Sequence, residues 1–103
     1  MYIVIFITAS DKKEAGRIAR KLIENRLAAC VNIVDKIDSV FWWKKKIVRA
    51  QEALLIVKSK RSKLNNLIKL VKSLHSYQVP EIIALPIIGG NRSYLEWLDE
   101  SIR

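Results

Sequence analysis

The 103-residue sequence holds one cysteine, one histidine, one methionine, two prolines and three glycines. Each scarcity excludes something. With Cys30 alone no internal disulfide forms, and the chain fits a reducing compartment. So few glycines, beside 50% hydrophobic residues, exclude a disordered or low-complexity chain. They also exclude a phosphate loop, because Gly89-Gly90 lacks both the spacing and a following Lys-Ser or Lys-Thr. No apolar stretch reaches the roughly 18 residues of a membrane-spanning helix. The opening MYIVIFIT has no basic leader of the secretory kind. The expectation is one cytoplasmic domain over residues 1–103, with no membrane partner.

Acidic residues are the other shortage: 10 against 19 lysines and arginines, a net charge of +9. That balance invites a nucleic-acid partner. The distribution argues against one. Lys12, Lys13, Arg17, Arg20, Lys21 and Arg26 alternate with aliphatics along one helix-like segment, and Lys63, Lys69 and Lys72 do so along another. These are solvated helix faces. Only Lys44-Lys45-Lys46 is a true cluster, at an expected turn.

Hydrophobic spacing sets out the elements. Tyr2 to Thr8 is a β-branched and aromatic run, a strand apolar on both faces. Asp11 and Glu14 have capping-box spacing, and Ala15, Ile18, Ala19, Leu22 and Ile23 continue a helix to about Asn25. From Ala28 an extended segment places Ala29, Val31, Ile33, Ile37, Phe41 and Trp43 at odd positions, predicting one buried face. Sixteen residues would span ~50 Å, so a bend or bulge is expected between Asp35 and Ser39. Lys44 to Lys46 turns a hairpin returning through Ile47 to Ser59. Ser62 is the expected cap of a second helix with Leu64, Leu67, Ile68, Val71 and Leu74 on its buried stripe. Ile82 to Ile88 is a strand interrupted by Pro86. Gly89-Gly90 is an expected turn, and Asn91 or Ser93 opens a terminal helix carrying Tyr94, Leu95, Trp97, Leu98 and Ile102.

The order β-α-β-β-α-β with an added C-terminal helix predicts an α+β, ferredoxin-like fold. Two helices cover one face of its antiparallel sheet, and in a monomer the other face meets water. Three of the four strands do not alternate polar with apolar. One short helix cannot cover that second face, so association between chains is expected.

The chemistry-bearing residues are sparse. Cys30 sits in Ala-Ala-Cys-Val, the setting of a small buried hydrophobe, and nothing activates it as a nucleophile. An RNA-stacking sheet would need aromatics in its third strand, where Ala53-Leu-Leu-Ile-Val57 has none. The densest polar stretch is His75-Ser-Tyr-Gln-Val-Pro-Glu81, directly before the last strand. His75 is either a surface residue at a helix C-terminus or a metal ligand. In the second case an oligomer must complete the sphere, because no paired ligand spacing exists in one chain.

Several segments together resemble the CutA family of divalent-cation tolerance proteins: Arg26–Asn32 (RLAACVN), Phe41–Lys44 (FWWK), Leu55–Ser59 (LIVKS), His75–Pro86 (HSYQVPEIIALP) and Asn91–Leu98 (NRSYLEWL). The match runs over nearly the whole chain in order and spacing. It implies a homotrimer of ferredoxin-like subunits, cytoplasmic and non-enzymatic, linked to copper tolerance. The architecture is similar to trimeric nitrogen-regulatory signalling proteins, which implies a small-ligand sensor as the other role. Carried over by residue, the resemblance implies an inter-subunit cleft with His75, Cys30 and Glu81 toward copper(II), and Asn32, Trp43, Lys58 and Tyr77 toward a ligand. No organic cofactor is implied. Ile7 and Leu74 stand where some members have a cysteine and a second histidine, Ser76 where proline is usual, and Lys45 where the hairpin glycine is usual.

Overall fold

A computed structural model describes residues 1–103. Its elements are strand β1 (Tyr2–Ala9), helix α1 (Lys12–Glu24), strands β2 (Cys30–Trp43) and β3 (Lys46–Lys60), a 3-10 turn (Arg61–Lys63), helix α2 (Leu64–Leu74), strand β4 (Ile82–Pro86) and helix α3 (Arg92–Ser101). All strand pairs are antiparallel, in the order β2-β3-β1-β4. The fold is the expected ferredoxin-like α+β arrangement. No helix is long and apolar enough to cross a membrane.

Alternation along the strands divides the sheet into two faces. Ile3, Ile5, Ile7 and Ala9 of β1 join Ala53, Leu55 and Val57 of β3 against Ala15, Ile18 and Leu22 of α1 and Leu67 and Val71 of α2. That is the core. The opposite face carries Val4, Phe6, Leu54 and Ile56, all only half-buried, with Ile83 and Leu85 exposed. Helix α3 covers one end of this second face: Lys60 reaches Asp99 at 3.1 Å, and Leu98 and Ile102 are fully buried outside the main core cluster. The rest stays uncovered.

Helix ends show where sequence signals worked and where they did not. Asp11 caps α1, its Oδ1 accepting the Glu14 N–H at 2.8 Å. The Glu14 carboxylate does not return to Asp11 as a capping box requires; it accepts from the Ser10 N–H and hydroxyl instead. The C-terminus of α1 closes with Arg26 in the left-handed region, Arg26 N–H on the Ile23 carbonyl and Leu27 N–H on the Leu22 carbonyl. Ser62 does not cap α2, which is entered through the 3-10 turn without a side-chain cap. Asn91 does cap α3, accepting from the Ser93 N–H. Residues 87–91 form no hydrogen-bonded turn, and Gly89-Gly90 takes no positive φ.

The expected bulge falls between Val34 and Ile37, with Lys36 at φ 57°. It has a consequence for the single buried face read from the odd positions. Val34 pairs with Leu54 but Ile37 pairs with Glu52, so one extra residue in β2 reverses the pleat. Val31 and Ile33 face the helices, whereas Ile37, Phe41 and Trp43 lie on the second face. Beyond the bulge β2 and β3 run on as a two-stranded arm closed by Trp43 and Lys46. Lys44 and Lys45 at its tip both have positive φ, 50° and 64°, the geometry of a type I′ turn. Lysine pays a steric cost there that glycine does not. Lys45→Gly is therefore expected to stabilise the chain by about 1 kcal/mol, after its larger unfolded-state entropy is counted. A raised urea midpoint at unchanged slope checks this.

Candidate functional site

The polar stretch after α2 is pinned by backbone-directed bonds. The helix ends where His75 turns extended, five residues before Pro80. The His75 ring then links two elements: Nδ1 accepts the Tyr77 N–H at 3.0 Å, and Nε2 stands 2.7 Å from the Thr8 carbonyl at the end of β1. An Nδ1 that accepts carries no proton, so Nε2–H donates to Thr8 and the ring is the neutral tautomer. Between His75 and Tyr77, the Ser76 N–H donates to Glu14 Oε2 at 2.8 Å. The Tyr77 ring packs at 4.8 Å from that of His75, and its hydroxyl donates to Glu52 Oε2 at 2.6 Å.

This arrangement sets the charges. Burial pushes the Glu14 carboxyl up, but the Ser10 and Ser76 donors outweigh it and hold its pKa at about 2. Desolvation, then the Glu52 carboxylate, pushes the Tyr77 phenol well above its ordinary range, so it stays a donor. Desolvation and Glu52 also raise Glu81. The Glu52 carboxylate thus disfavours negative charge on Glu81, and a cation beside Glu81 would relieve that repulsion.

Of the residues expected in one cleft, the structure brings together His75, Tyr77 and Glu81 at this end of the sheet. Cys30, Asn32 and Lys58 form a second group. Cys30 pairs with Lys58, and Lys58 with Val4, four residues along β1 from Thr8 or about 13 Å. There the Lys58 ammonium donates to Asn32 Oδ1 and the Ile56 carbonyl, and has no carboxylate partner. Tyr94 of α3 meets the Cys30 thiol; burial and then that thiol push its hydroxyl up. Trp43 belongs to neither group and sits at the arm tip beneath Lys44. No three His, Cys, Asp or Glu side chains gather into a metal-holding set within one chain.

Glu52 and Glu14 were not expected in the site. Glu52 is buried immediately before the apolar run of β3, a place where an unpaired carboxylate is costly. That position was the available signal. Glu14 gives none beyond helix capping, because its second partner, Ser76, lies 62 residues away.

Comparison with known proteins agrees with this architecture. The family described as CutA1 divalent ion tolerance protein matches residues 3–101. The divalent-cation tolerance protein CutA of Thermus thermophilus is 49% identical over 98 residues, 95% of either chain. The chloroplastic CutA 1 of rice is 50% identical over 98% of this chain, which spans only 57% of the rice protein's length. Among solved structures, that of the Thermus thermophilus protein superposes with a TM-score of 0.97 at 48% identity over all of both chains. The structure of a periplasmic CutA from Archaeoglobus fulgidus gives 0.97 at 46%, again over the whole of both. Relatives named chloroplastic and periplasmic show that the family is not confined to the cytoplasm. With the fold, the length and the residue pattern all matching, the chain belongs to the CutA1 divalent ion tolerance family.

Proposed function

We propose that the chain works as a homotrimer that binds a divalent cation, copper(II) foremost, in the cleft between subunits and catalyses no reaction. The observation that carries this reading is the division of the donors. His75 and Glu81 stand at one end of the sheet and Cys30 at another, so a coordination sphere closes only when a second copy supplies the missing side. Imidazole with carboxylate suits copper(II). The names of the relatives link the family to divalent cations. Association has separate support. The chain exposes 6981 Å², against about 5,900 Å² for a compact monomer of this mass. The excess is close to the roughly 800 Å² per partner of a standard interface. The number three rests on the resemblance. Lone Cys30 fits a reducing compartment, so we assign the chain to the cytoplasm, which fractionation of expressing cells checks.

A cation at His75 must displace either the Tyr77 N–H or the Thr8 carbonyl, which weakens affinity. Calorimetric titration of copper(II) into wild type, His75→Ala and Glu81→Gln tests the site. Each substitution is expected to weaken binding at least tenfold. Equal heats in all three proteins would remove these residues and favour a second reading, a signalling or scaffold trimer taking a small anionic molecule or partner peptide at Lys58. That reading is supported by the Lys58 ammonium, which has no carboxylate partner and stands on the uncovered face.

A further inference from the structure

The arm beyond the bulge has a second surface that neither the core nor the cleft uses. Register places Val40 and Trp42 of β2 beside Arg49 and Ile47 of β3, on the helix side of the sheet and away from the second face. Neither helix extends over them. Val40 is 60% exposed, Ile47 66% and Trp42 72%, so three large apolar side chains adjoin in water at the end of a molecule 44 Å long. Copies covering the second face would leave this patch open, since it points the other way. Lys44, Lys45 and Arg49 stand around it, and Lys46, paired with Trp43, lies on the opposite face of the arm. Residues 40–50 contain no acidic residue, and none of these four cations forms an ion pair.

We propose that the arm tip docks on an anionic phospholipid surface, with Trp42 and Ile47 at headgroup depth and Lys44, Lys45 and Arg49 over the phosphates. Charge complementarity and shape select this occupant. Indole and lysine together suit the membrane–water interface. The tip is convex, so it enters a fluid layer without needing a matching cleft. Single-stranded nucleic acid is the rival polyanion, but successive bases need several aromatic platforms, and this surface offers one ring beside two aliphatics. The expectation of no membrane partner rested on the lack of a spanning segment, which does not bear on peripheral contact. The proposal is independent of the cation reading.

Co-sedimentation of the full chain with vesicles of phosphatidylcholine, with and without phosphatidylglycerol, tests it. Wild type is expected to sediment with the anionic vesicles only. Removing Lys44 or Arg49 as Lys44→Gln or Arg49→Gln should weaken binding about fivefold each. Trp42→Glu should abolish it with thermal midpoint and mass unchanged, because Trp42 is outside the core. Tryptophan emission should shift blue on binding in wild type and not in Trp42→Phe. Equal binding to neutral vesicles, undiminished binding by Trp42→Glu, or tighter retention on a single-stranded oligonucleotide would overturn the proposal. A change of mass in Trp42→Glu would also overturn it, by making the patch a contact between copies.

Discussion

Acidification from pH 5 to pH 2 is expected to remove about 3 kcal/mol of folding stability through the single side chain of Glu14. Its carboxyl has a pKa of about 2 in the folded chain against 4.5 without the fold. A depressed folded pKa stabilises the native state above the unfolded value, and that stabilisation is lost as pH falls through the folded one. The window is therefore between about pH 5 and pH 2. The physical source is three donations to the Glu14 carboxylate, from the Ser10 amide, the Ser10 hydroxyl and the Ser76 amide. Out of a total of 5–15 kcal/mol typical of a domain, such a loss is large. Glu14→Gln keeps the shape but turns an amide donor toward donors. It should be about 3 kcal/mol less stable than wild type at pH 7, with the gap closing towards pH 2. Urea unfolding of both proteins across this range measures the difference and cancels other acid effects. A gap independent of pH would refute the assignment. The Ser76 bond also ties the stretch carrying His75 and Tyr77 to α1, so the same acid should loosen the proposed cation site.

The elements were legible because each rests on local chemistry. Asp11 and Asn91 cap what they precede, Pro80 and Pro86 bound β4, and aliphatic spacing marks α1 and α2. Signals failed where a local rule met a distant partner. Glu14 has the spacing of a capping box, but the nearby Ser10 and remote Ser76 amides claim its carboxylate. Ser62 precedes an apolar stripe, yet it lies inside a 3-10 turn and the cap position falls on Lys63. The bulge was expected from strand length alone. Its reversal of faces was not, because residues 37, 41 and 43 keep their odd parity while the pleat shifts under them. The site was half legible for the same reason. His75, Tyr77 and Glu81 lie close in sequence, but Glu52 joins them only through the fold, 25 residues from Tyr77. Cys30 carries no sequence mark of its separation from His75, since distance across a sheet depends on strand order.

Placing one charge in the middle of the second face is expected to break the proposed trimer into single chains. Asn32, Ile56, Phe6 and Ile83 form a row across all four strands on that face. Ile56 is at its centre, half-buried in the isolated chain. If two further copies cover this row, Ile56→Lys must desolvate an ammonium in each subunit without a partner, a cost of several kcal/mol per copy that binding cannot offset. In a single chain the same lysine reaches water over the open face, so the fold itself should survive. Light scattering is expected to give three times 11.9 kDa for wild type and 11.9 kDa for Ile56→Lys, with far-ultraviolet dichroism unchanged. Ile56→Val, which keeps the face apolar, should remain trimeric. A wild type of 11.9 kDa at micromolar concentration, or an Ile56→Lys protein that keeps the wild-type mass, would end the trimer reading and with it the shared cation site. The test reaches that far because His75, Glu81 and Cys30 meet only if subunits do. On the proposed reading association is a condition of cation binding, and the strands that fail to alternate are the part of the sequence that would encode it.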